Sequence, residues 1–116
     1  MSRYNPLNEN DARSFAATVV QAAQSLAQRH VPFLEGVRQL SSLRFQAGGE
    51  GHDPDFLLFL AIDSQSDHIP NVDTHAMCSE VWLRECDTEA QELERTYGAE
   101  VNAACAKLVA RFSAEA

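Results

Sequence analysis

SEVWLRECDTEAQELERTYGAEVNAACAKLVARFS, residues 79–113, carries one apolar stripe through Trp82, Cys86, Ala90, Leu93, Tyr97, Val101, Ala104, Leu108 and Phe112, each step three or four residues long. Such steps return side chains to one face of a helix with 3.6 residues per turn, whereas a strand requires alternation. The segment predicts a single helix on the order of 50 Å long at 1.5 Å per residue, enough to pack against two shorter helices in succession. Two places could break it. Asp87 and Thr88 can cap a second helix, and Gly98 costs about 1 kcal/mol relative to alanine in an exposed helix interior.

Upstream, FLLFLAI from Phe56 to Ile62 is an unbroken apolar run preceded by Asp53-Pro54-Asp55. The aspartate can cap free amides, proline suits the first helical position, and a second acid faces the positive end of the helix dipole. The run is therefore read as a short helix buried at the centre of the fold, with a buried strand as the alternative that periodicity does not remove. DSQSDHIPNVD, residues 63–73, is polar, contains Pro70-Asn71 and reads as a loop. Nearer the start, Asn8 with Glu9 and Asp11 marks a helix opening, and Phe15, Ala16, Val19, Val20, Ala23, Leu26 and Ala27 line one face to about His30. Pro32 sets a joint at Val31. A second helix, about Phe33 to Gln46, presents Leu34, Val37, Leu40 and Leu43 or Phe45, and Gly48-Gly49 stops it. The expectation is an all-α fold: a single-domain bundle of about four helices, residues 1–116, with a long C-terminal helix.

Charge is unevenly placed along the chain. Between Glu50 and Glu94 there are twelve acids and one base, Arg84, while the other positions hold five acids and eight bases, for a net charge of −8 overall. The field of that block suits a cationic partner. It excludes DNA and RNA as partners, because phosphate binding needs clustered Lys and Arg, and Lys107 is the only lysine. No stretch approaches the roughly 18 apolar residues of a membrane span, and the opening MSRYNPLNEN lacks a secretory apolar segment, so a cytoplasmic chain off the membrane is expected. Cys78, Cys86 and Cys105 are odd in number and form no CxxC pair, which fits reduced, partly buried thiols.

His52, Asp53, Asp55, Asp63, Asp67, His68, Asp73 and His75 could supply oxygen and imidazole ligands, yet their spacing matches no known site, and no metal or other cofactor is expected. Asp63 and Asp67, four apart, would share a face only if the helix continued. Acid–base catalysis by them would also need a pocket and an electrophile-stabilising group. Pairing of these acids with Arg38 or Arg44 is the plainer reading, as is capping by Asp53 and Asp73. Cys78 and His75 match no cysteine-enzyme signature, and His30 is an ordinary residue near a helix C-terminus. Glu80, Glu85, Asp87, Glu89, Glu92 and Glu94 could be merely the wet face of a helix. Glu85, Glu89 and Glu92, however, lie on one side with no lysine four residues on.

LEGVRQLSSLRF (residues 34–45) followed by DPDFLLFLAIDSQSDHIP (residues 53–70) resembles a family of small uncharacterised bacterial cytosolic proteins in the order and spacing of its blocks. With the C-terminal helix the likeness covers about two thirds of the chain. It implies a compact helical cytosolic protein and carries over no reaction, cofactor or catalytic residue. In format, being small, acidic, lysine-poor and without catalytic signature, the chain is also similar to immunity proteins of bacterial toxin systems; nuclease toxins bear basic substrate-binding surfaces that an acidic partner can occlude.

The leading expectation is a non-enzymatic protein-binding module, an immunity protein covering a basic toxin or effector domain. Asp53, Asp55, Asp63, Asp67, Asp73, Glu80, Glu85, Asp87, Glu89 and Glu92 would supply the acidic surface, and Trp82 or Ile69 an apolar anchor. A self-associating housekeeping or regulatory protein, a homodimer through the long helix, is the alternative. A metal-dependent or acid–base enzyme using the Asp and His loop is the third.

Overall fold

The computed structural model describes residues 9–47, 51–70 and 78–114. They form four α-helices and no strand: α1 (Glu9–Ala27), α2 (Phe33–Leu43), α3 (Leu57–Gln65) and α4 (Glu80–Phe112), with 3₁₀ turns at Arg44–Ala47 and Pro54–Phe56. The bundle and its long last helix match the all-α expectation. Asn8, Gly48, Gly49, Asp73 and His75 lie outside the described residues.

The end of α1 departs from the sequence reading. The helix stops at Ala27 rather than His30, and the joint expected at Val31 occupies residues 28–32. Arg29 takes a left-handed conformation, φ 57°, its N–H donating to the Leu26 carbonyl while the His30 N–H donates to that of Ser25. This is the Schellman pattern, normally built on glycine because other residues pay about 1–2 kcal/mol there. No glycine announces it. Tertiary contact holds the arginine in place: its Nε donates to Glu94 at 2.7 Å, another guanidinium nitrogen donates to Asn102, and the group lies over the Phe33 ring.

α2 begins directly after Pro32 and buries Phe33, Leu34, Gly36, Val37, Leu40, Ser41 and Leu43. Between Leu43 and Phe45 the structure chooses Leu43. The tightened last turn leaves Phe45 exposed beneath the Arg44 guanidinium. Gly36 permits the close approach of α1 and α2, since a Cβ there would stand 2.8 Å from Leu26 Cδ1.

α3 opens as expected, with the Asp53 carboxylate accepting from the Asp55 N–H at 3.0 Å and Pro54 in the first turn. The Phe56–Ile62 run is helical and not a strand, but it is not wholly buried. Phe56, Phe59 and Ile62 enter the core at helical spacing, while Leu57 is exposed and Leu58 and Leu60 are half-buried. A helix packed on one side can bury only one stripe of a continuous apolar run.

α4 is unbroken through Asp87 and Gly98. Its first turn is capped by Ser79, whose hydroxyl accepts from the Trp82 N–H. α1 packs along its C-terminal half: Phe15 meets Phe112 edge-on with ring centroids 5.5 Å apart, and Arg29 reaches Glu94 and Asn102 at the other end. Antiparallel packing therefore ends near Glu94, and the turns from Glu80 to Glu92 run past the end of α1. Of those thirteen residues only Cys86 is buried. At 1.5 Å per residue these turns cover about 20 Å, with Cys86 in the core and Ala90 packed against it.

Candidate functional site

The acids expected to form one negative surface fall into distinct groups. Asp53 and Asp55 are engaged by Arg111 in the last turn of α4, which donates to both Asp53 oxygens at 2.8 Å and to Asp55 at 2.9 Å. The guanidinium, aided by the Asp55 N–H, outweighs burial and holds the Asp53 carboxyl below its usual range. The arginine is correspondingly harder to deprotonate. These two acids fasten the start of α3 to the end of α4.

Asp63 lies within α3, not in a loop, and faces Arg38 at 3.7 Å. Arg38 also donates to the carbonyls of Ser66 and Ile69 at 2.7 and 2.9 Å, tying α2 to the chain leaving α3. Of the two arginines expected to meet the acidic stretch, only Arg38 does so among the described residues. Arg44 turns back to the Ser41 carbonyl and hydroxyl. Because α3 ends at Gln65, Asp63 and Asp67 do not share a helical face, and Asp67 is exposed beyond it. Among the described residues no group of three or more His, Cys, Asp and Glu side chains could hold a metal ion.

What remains is on the turns of α4 that lie beyond the end of α1. Trp82 is 38% exposed and Val81 59%, beside the exposed carboxylates Glu85, Glu89 and Glu92. Helical periodicity sets Glu85, Glu89 and Glu92 on the same side as Trp82. Glu89 accepts from His68, whose ring lies 6.4 Å from that of Trp82. Glu80, Glu85, Asp87 and Glu92 form no ion pair with a base among the described residues.

Ile69, the other anchor considered, is only 8% exposed and belongs to the core. The Arg38 bond to its carbonyl draws the loop inward and takes the side chain with it. Trp82 has the opposite fate. It opens the apolar stripe of α4, but α1 does not reach that far.

Asp87 is separated from the glutamates and lines a cleft of about 310 Å³ between the start of α2 and α4. Its lining combines apolar Pro32, Phe33, Leu34, Ile69 and Ala90 with the charged side chains of Glu35, Arg38, Asp87 and Glu94. Sequence reading did not group these residues. They come from three segments far apart in the chain, and Glu35 lies outside the acidic block.

Cys86 and Cys105 sit in surroundings that keep a thiol protonated. Burial, reinforced by nearby negative charge that begins with Glu89, raises the Cys86 thiol, and burial pushes Cys105 to about 11 against the opposing pull of Arg29. A thiolate is the reactive form, and both environments disfavour it.

No helix among the described residues is long and apolar enough to cross a membrane. Comparison of the chain with protein-family models, with curated proteins and with solved structures gave no match.

Proposed function

We propose that this chain is a protein-binding module that receives a basic protein on the N-terminal turns of α4. In its most concrete form it is an immunity protein whose acidic surface covers the substrate groove of a basic toxin or effector domain. One observation carries the reading: a tryptophan exposed to water shares a face of α4 with Glu85 and Glu92, which no base among the described residues neutralises. Aromatic side chains desolvated at the centre of an interface commonly supply most of the affinity, and surrounding charges govern the rate of encounter.

The same charges argue against the homodimer. A two-fold contact through Trp82 would set two copies of the acidic face against each other. Of the remaining stripe of α4, Val101, Leu108 and Phe112 are buried in the bundle core, and Leu93, Tyr97 and Ala104 pack against it. The enzyme reading has less support still, because Asp53, Asp55 and Asp63 are held by arginines.

The test is capture from the native cytosol at low salt, identification of the bound protein, and measurement of association with the purified partner. A basic partner whose on-rate falls steeply with ionic strength is expected. Glu85→Lys with Glu92→Lys should slow association by about tenfold or more, and Trp82→Ala should speed dissociation. An on-rate indifferent to salt and to charge reversal would refute the steering model.

A further inference from the structure

We infer that the cleft between α2 and α4 is a receptor for an arginine side chain presented by the basic partner, an inference that rests on the binding reading and gives it a residue type. The cleft's surroundings already hold guanidinium groups in two ways. On one side Arg29 lies 5.2 Å from the centroid of Phe33 and donates to Glu94, and both of those residues line the cleft. On the other, Arg38 is turned toward Asp63 and the carbonyls of Ser66 and Ile69.

With Glu94 engaged by Arg29 and Arg38 by Asp63, the uncompensated charge of the cleft is that of Glu35 and Asp87. Neither forms an ion pair among the described residues. A lining that combines apolar side chains with two unpaired carboxylates matches a side chain whose stem is aliphatic and whose head is a planar, weakly hydrated cation. Arginine fits that description better than lysine, whose compact ammonium holds its water more tightly. The guanidinium fork can donate to two carboxylates at once, and the methylenes can cover Pro32, Ile69 and Ala90. Binding here is complementary to the Trp82 face, because Asp87 and Glu85 lie on different flanks of the same helical turns.

The probe is Nα-acetyl-arginine amide, titrated into the full chain and followed by amide chemical shifts in nuclear magnetic resonance. Its lysine and citrulline counterparts separate guanidinium recognition from charge and from shape. Saturable shifts are expected at Phe33, Glu35, Asp87 and Ala90, several-fold weaker binding for the lysine probe, and no saturation with citrulline. Glu35→Gln with Asp87→Asn, both at exposed positions, should abolish the response, whereas Glu85→Lys with Glu92→Lys should leave its location unchanged.

Absence of saturation, equal binding of the lysine probe, or an undiminished response in the Glu35→Gln, Asp87→Asn protein would overturn the inference. The two readings fail separately. A basic partner that binds the wild type and the Glu35→Gln, Asp87→Asn variant equally sinks the arginine receptor and leaves the Trp82 face standing. An on-rate untouched by reversal of Glu85 and Glu92 sinks the steering model whatever the titration gives.

Discussion

Replacing each of two helical glycines with alanine should move stability in opposite directions, which tests the packing directly. Gly98 lies inside α4, where glycine costs about 1 kcal/mol relative to alanine because its unfolded chain has more freedom to lose. A Cβ at this position meets only a terminal nitrogen of Arg29, at 3.6 Å, an ordinary van der Waals contact. Gly98→Ala should therefore stabilise the fold by about 1 kcal/mol, raising the melting temperature by roughly 4 °C for a domain of this size. Gly36 is the control. Its added Cβ would stand 2.8 Å from Leu26 Cδ1 and 3.1 Å from both Leu26 Cβ and Val31 Cγ2. Leu26 is fully buried, so it has little room to yield. Gly36→Ala should destabilise by about 1–3 kcal/mol, as overpacking commonly does. Urea denaturation followed by circular dichroism measures both, with the midpoint moving and the slope preserved. A lower midpoint for Gly98→Ala would refute the reasoning, since it would mean that the Arg29 guanidinium needs the bare backbone.

Three further outcomes follow from named contacts. Arg29→Gly should be less destabilising than Arg29→Ala by about 1 kcal/mol, because both lose the contacts to Glu94 and Asn102 but only alanine keeps the cost of the left-handed backbone; equal midpoints in denaturant would contradict this. Asp53→Asn should cost about 1–2 kcal/mol at neutral pH through loss of the charge-assisted Arg111 bonds. The Asp53 carboxyl is depressed in the fold, so its contribution is complete above the unfolded value near 3.8 and is lost as pH falls through the lower folded value. Stability of the variant should consequently fall less steeply than wild type below about pH 4, and parallel acid-denaturation curves would count against the pairing. Finally, Cys105 should resist alkylation in the native protein at pH 8 and react only on unfolding, which mass spectrometry after timed quenching can follow; rapid labelling would show that its surroundings open locally.

Periodicity made the helices legible because each buries a stripe at three- and four-residue steps, and α4 kept that stripe unbroken across Asp87 and Gly98. The misread positions have identifiable physical causes. Arg29 ends α1 without the glycine that usually marks such a cap, because contacts with Glu94, Asn102 and Phe33 from later segments hold its backbone left-handed. Ile69 resembled an anchor because it stands alone in a polar stretch, yet Arg38, from thirty-one residues away, pulls its carbonyl inward. Trp82 was ambiguous for the converse reason. Its place in the stripe said core, and only the reach of α1 decided otherwise. The cleft formed with Glu35 had no local signal at all, since proximity created by helix packing is not encoded in spacing along the chain.

The segregation of charge along the sequence acquires a structural meaning from its pairings. Three arginines from outside the acidic block cross to carboxylates within it: Arg29 to Glu94, Arg38 to Asp63, and Arg111 to Asp53 and Asp55. Each joins segments distant in sequence, so opposite charge helps to specify which elements meet. This assembly consumes Asp53, Asp55 and Asp63 around α3 and Glu94 beside the end of α1. It does not reach the first turns of α4, where Glu85 and Glu92 flank Trp82. An exposed salt bridge contributes about 0–1 kcal/mol, so a single added lysine would relieve that repulsion at little structural cost. The unneutralised face is therefore no requirement of the fold, which supports the proposal that it serves a basic partner.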